Sequence, residues 1–174
     1  MMTGIGNDSA SPGTPALKLN LYSHATLDCR DIQRTRRFFQ EFLGLETAMM
    51  GETGFAARLG RSQIIVVVQN PNHKAVMPMF NHNGLDVGSE AEVDQAHAVV
   101  TRGAEQWGLK RITRPLHQHG TYSFYFWDLD DNAWEILSNQ PGGFEWVFGH
   151  DAQQVAEIMS PATPKRKAEG NKVD

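Results

Sequence analysis

Ser23-His24-Ala25-Thr26-Leu27-Asp28 and, later in the chain, Asn81-His82-Asn83-Gly84-Leu85-Asp86 share one frame: a histidine, a leucine three residues on, then an aspartate. The first lies in a strand-like stretch from Leu17 to Leu27, the second in one from Phe80 to Val87. A helix follows each. From Asp31 to Leu43 the residues Ile32, Thr35, Phe38, Phe39 and Phe42 fall on one helical face, and Gly44 supplies the stop. Ser89 can cap a second helix over about 90–102, with Val93, Ala96, Val99 and Val100 as its apolar set. Strand-like runs come next: Phe55 to Leu59 and Gln63 to Gln69 in the first half, Arg111 to Leu116, Thr121 to Trp127 and Ala133 to Ser138 in the second. Each half is thus β-α-β-β with room for one more short strand. Neither half can bury its sheet alone, so the two must pair. The expected fold is α+β, with modules at about 17–70 and 79–140. Together they would build a curved, mixed, mostly antiparallel sheet with helices outside and a cleft within.

The 174 residues suit one such domain, and 40% hydrophobic residues suffice for a core. A net charge of −4 offers no basic field for nucleic acid. One cysteine, Cys29, excludes an intrachain disulfide and a cysteine-rich zinc site, and with no cationic partner in view it reads as inert. No apolar run approaches the ~18 residues of a membrane span. Residues 1–16 are rich in Gly, Ser, Pro and Thr without an apolar h-region, so no secretory signal is expected and a cytoplasmic location is. They and residues 160–174 read as flexible tails, the Lys165-Arg166-Lys167 run included.

With the halves in register, Trp134-Glu135-Ile136-Leu137-Ser138-Asn139 aligns with Ile65-Val66-Val67-Val68-Gln69-Asn70. Glu135 therefore stands where the first half has Val66. Two histidines, His24 and His82, and one carboxylate, Glu135, come from equivalent places in a duplicated fold. Two His and one carboxylate on one face, with the rest of the sphere open, is a ligand set for a borderline divalent metal such as non-haem Fe(II). An unpaired carboxylate inside an apolar strand is costly, which also favours a partner for Glu135.

From about Leu19 to Asn139 the chain resembles the vicinal oxygen chelate superfamily, built from paired β-α-β-β-β modules. The superfamily includes glyoxalase I, bleomycin-resistance proteins, fosfomycin-resistance enzymes and type I extradiol ring-cleavage dioxygenases. The single-domain dioxygenases match best. Their metal-holding His, His and Glu land on His24, His82 and Glu135, and their closing signature on Phe124-Tyr125, with Glu135 ten residues after the Tyr. Their upstream histidine lands on His117, eight residues before Tyr125, or on His119. The turn has Leu129 and Asp131 where the family uses Pro and Gly, and Pro115 is foreign to the pattern. Val66 contradicts the four-ligand glyoxalase I arrangement.

The resemblance implies extradiol cleavage of a catechol-like aromatic by O2, with Fe(II) or Mn(II) as cofactor. It assigns proton transfer to His117 or His119 and a substrate hydrogen bond to the Tyr125 hydroxyl. The alternative is a metal-dependent isomerase, epimerase or lyase of the same superfamily; a metal-free binding protein comes third. Among the other histidines, His97 is expected to pack on the second helix, and His73 and His150 to be solvated. Phe144-Glu145-Trp146-Val147-Phe148 and a helix at about 151–159 are expected to pack on the sheet edge, wall the cleft, or contact a second subunit in a homo-oligomer.

Overall fold

A computed structural model of the chain describes residues 16–17, 21–60 and 63–160. The expected tails lie outside the described residues except for Ala16 and Ser160. The duplication is plain in the strand order. Sheet one runs β1-β4-β3-β2, from β1 (Ala25–Cys29), β2 (Glu46–Met49), β3 (Gly54–Arg58) and β4 (Ile64–Gln69). Sheet two runs β5-β8-β7-β6, from β5 (Asn83–Asp86), β6 (Leu116–Gln118), β7 (Thr121–Trp127) and β8 (Ala133–Ser138). In each sheet the first strand pairs parallel with the last and the other pairs are antiparallel. Thr26 sits opposite Val66 and Gly84 opposite Glu135, so the alignment read from the sequence is also the strand register.

The fold is therefore the two-module α+β fold expected, with the single curved sheet resolved into two of four strands. Helix α1 (Ile32–Arg37) starts where the Asp31 carboxylate accepts the Gln33 and Arg34 amides, each at 3.0 Å. It widens into a π turn over Phe38–Phe42 and stops at Gly44, whose φ of +71° suits glycine. Helix α2 (Glu90–Trp107) is capped by Ser89 and runs one turn further than its apolar pattern suggests, to Gly108 at φ +70°.

One face of each sheet feeds a common core. Leu27, Cys29, Phe55 and Val67 from sheet one meet Phe124, Phe126, Trp134 and Ile136 from sheet two, with Phe38, Phe39, Val93 and Val100 from the helical segments between them. The Phe39 ring lies edge-on to both Phe55 (5.3 Å between centroids) and Trp134 (5.6 Å), and so joins the modules.

A polar clamp reinforces the joint. Arg30, after β1, donates to the Leu129 carbonyl (2.8 Å), the His73 carbonyl (3.0 Å) and the Asp131 carboxylate (2.6 Å), while its backbone amide donates to Asp130. Lys110 also reaches Asp131, and the Thr35 hydroxyl donates to Asp130. The β7–β8 turn is acidic, and its Asp130 and Asp131 serve this clamp.

Two expected strands shift, and the extra short strand appears as β2. β1 begins at Ala25, after an unpaired extended run over 21–24. β2 emerges from a stretch without a clear period. The strand expected over 111–116 is mostly an extended connection tied by Lys110–Trp127 bonds, because Arg111 takes φ +51° and Pro115 has no amide to donate. Beyond the modules, a 3-10 segment (Gly143–Gly149) and α3 (Ala152–Met159) form a small apolar unit. Ile158 and Trp146 of that unit seat against Gly120 at the β6–β7 turn.

Candidate metal centre

On β8 the core-facing residues are Trp134 and Ile136, so Glu135 points to the opposite, outward face of sheet two. Tyr125 is its cross-strand partner on β7 and shares that face, while Phe124 and Phe126 turn into the core. Gly84 on β5 is opposite Glu135 on its other side. The segment after β4 crosses this face: Met77 packs on Tyr125, Trp127 and Ala133, and its carbonyl accepts the Trp127 indole N–H at 2.7 Å. Glu135 and Tyr125 are consequently almost fully buried, at 6% and 5% exposure.

His82 enters from the short 3-10 turn Met79–Asn81 that precedes β5. Its Nε2 is 3.0 Å from Glu135 Oε2, its Nδ1 is 2.6 Å from the Met79 carbonyl oxygen, and its ring lies edge-on to Tyr125 at 5.0 Å. The carbonyl can only accept, so Nδ1 carries a hydrogen and donates it. In the neutral ring Nε2 is then a bare lone pair facing a carboxylate oxygen at contact distance. Two acceptors so placed need a cation, either a proton or a metal ion. Two ligands each about 2.1 Å from an ion at right angles are themselves about 3.0 Å apart, and an imidazole that ligates a metal commonly donates its other N–H to a backbone carbonyl. The pair therefore fits a divalent ion. Burial, then the Glu135 charge, raises the Tyr125 phenol well above its ordinary value, so it stays protonated as a hydrogen-bond donor.

The other expected site residues lie elsewhere. His24 is exposed, with Nδ1 2.9 Å from the Ser23 hydroxyl, and strand alternation sets it with Thr26 and Asp28 on the outward face of sheet one. Among the described residues no three His, Cys, Asp or Glu side chains converge as a metal site. His24 therefore does not join His82 and Glu135 as a three-residue site among the described residues. His117 is opposite Tyr122 in the ladder, on the α2 side of sheet two. It lies 3.8 Å from Glu90 and stacks on Tyr122, away from Tyr125. His119 occupies the exposed β6–β7 turn at φ +51°. Within the chain, neither lies beside Tyr125 and Glu135.

The remaining histidines divide. His97 packs edge-on against Phe124, as expected. His150 is half-buried, its Nδ1 donating to the Trp146 carbonyl, and His73 is paired with Asp28 rather than solvated. Cys29 is fully buried, and burial pushes its thiol up to about 11, away from the reactive thiolate.

No family model and no curated protein matches the chain. Solved structures do. Fosfomycin resistance protein FosX from Listeria monocytogenes superposes with a TM-score of 0.56 at 22% identity, over 71% of this chain and 97% of that one. FosX from Mesorhizobium loti gives 0.55 at 19%, over 71% and 96%. A hypothetical protein, SA1046 from S. aureus, gives 0.57 at 19%, over 70% and 95%. A further Listeria FosX structure is a complex with Mn(II) and sulfate. The chain thus shares its two-module fold with these proteins. No helix among the described residues is long and apolar enough to cross a membrane.

Proposed function

We propose that this protein is a divalent-metal-dependent enzyme of the non-oxygenase kind, an isomerase, epimerase, lyase or hydrolase acting on a small oxygen-bearing molecule. The observation that carries the reading is the His82–Glu135 pair, whose facing acceptors and carbonyl-anchored Nδ1 suit a metal ion. Similarity in fold to FosX, one structure of which holds Mn(II), supports Mn(II) over Fe(II). Bound there, the ion would act as a Lewis acid on a substrate oxygen. Glu135 and His82 would hold it, and the Tyr125 hydroxyl would donate to the substrate. Ring cleavage by O2 loses support because His117 and His119 both lie away from this face.

His24 is the third ligand in this proposal, and a second copy must bring it. The outward face of sheet one, with His24 exposed, would lie against the outward face of sheet two of its partner. A two-fold axis then makes two such centres.

Manganese binding tests both parts. Glu135→Ala is expected to abolish Mn(II) binding without unfolding; unchanged metal content would end the metal reading. Mixing refolded His24→Ala and Glu135→Ala chains should restore one centre per hybrid dimer, about half the wild-type metal in that species. No recovery would show that His24 is not shared between copies. Oxygen uptake on a catechol panel would revive the oxygenase.

A further inference from the structure

Outside the His82–Glu135 face, a cavity of about 280 Å³ opens between β1 and the segment after β4. Ala75, Val76, Met77 and Pro78 form its apolar wall, and Thr26, Asp28 and His73 are its polar side chains apart from Asn132. His73 Nδ1 is 3.0 Å from Asp28 Oδ2, and the imidazole is only 13% exposed. The Asn132 amide is spent on the Asp28 carbonyl and on Asp128, so it leaves the Asp28 carboxylate to His73.

We propose that Asp28 and His73 form a proton-accepting dyad, with His73 a general base that activates water against a small, mostly apolar molecule bearing an electrophilic carbonyl. This goes beyond the metal reading and does not depend on it. Three features support it. The carboxylate can only accept, so Nδ1 carries the hydrogen and Nε2 keeps its lone pair for a bound molecule. The backbone that carries the ring is fixed on both sides: the His73 N–H donates to the Asn70 carbonyl and the His73 carbonyl accepts from Arg30 Nε. A carboxylate on Nδ1 also stabilises the imidazolium that forms when Nε2 takes a proton. In the step proposed, the water oxygen bonds to the carbonyl carbon as its proton passes to Nε2. Collapse then breaks the bond to the leaving oxygen, and the proton returns to that oxygen or to solvent.

The test is hydrolysis of p-nitrophenyl acetate by the full chain, loaded with Mn(II) and again after EDTA. Wild-type protein is expected to hydrolyse it above the buffer rate, equally in both states. His73→Gln should lose that rate about tenfold or more, Asp28→Asn should lose it severalfold, and His150→Gln should keep it, with all three melting as wild type does. Because the rate is expected to be the same with Mn(II) and after EDTA, failure of the dyad is distinguishable from failure of the metal reading. No protein-dependent hydrolysis, or an undiminished rate in His73→Gln, would overturn the dyad.

Discussion

Arg30→Met removes the guanidinium from the joint between the modules and keeps an apolar stem of similar reach. Three side-chain bonds disappear: those to the Leu129 and His73 carbonyls and the ion pair with Asp131. Each carbonyl bond contributes about 1 kcal/mol net. The ion pair lies in the range of about 1.5–3 kcal/mol for a charged hydrogen bond, and the 34% exposure of the Arg30 side chain holds it to the lower end. The sum is about 3.5 kcal/mol. At about 2–4 °C per kcal/mol for a chain of this size, the melting temperature should fall by about 7–14 °C. Urea denaturation of wild type and variant, followed by tryptophan fluorescence, checks the free energy directly. Lys110→Met is the control: it also bonds Asp131, but through one contact from a side chain 44% exposed, and should cost less than about 1 kcal/mol. If Arg30→Met costs no more than Lys110→Met, the clamp does not hold the modules together.

Asp128 makes a pH prediction. It is fully buried, accepts from the Trp134 indole and from the Asp130 and Asn132 amides, and burial pushes its carboxyl from 3.8 up to about 6. A carboxyl raised on folding binds its proton more readily in the native state, so its contribution to stability is present below about pH 4 and is lost as pH rises through about 6. The stability of wild type relative to Asp128→Asn should therefore fall between pH 4 and 6; parallel pH profiles would refute the assignment. At neutral pH Asp128→Asn itself should destabilise by about 1–3 kcal/mol, because its amide must turn a donor toward one of the donors now satisfied. Gly120→Ala should cost about 1–2 kcal/mol, since it strains a φ of +76° and brings a methyl to 3.3 Å from Ile158. Its effect should appear first as faster amide exchange in 143–159, and uniform exchange would refute that docking.

By itself the sequence determined the module, its repetition and its register. The His-x-x-Leu-Asp frame at 24–28 and 82–86, the caps at Asp31 and Ser89, and the apolar runs of β4 and β8 are local signals, and strand alternation converts them directly into faces. That logic aligned Glu135 with Val66 and put Tyr125 on one face with Ser123 and Trp127, and the structure then set Gly84 and Tyr125 on either side of Glu135. The same logic could not show which histidines share a face with Glu135. His117 matches the family spacing, yet the connection over 111–115 delays β6 and delivers it to the helical side. Nor does local pattern reveal that the modules meet through their inner faces. The clamp around Arg30 and the Asp28–His73 pair join residues far apart in sequence. Only the packed chain decides such contacts, because burial and hydrogen-bond partners depend on what arrives from elsewhere.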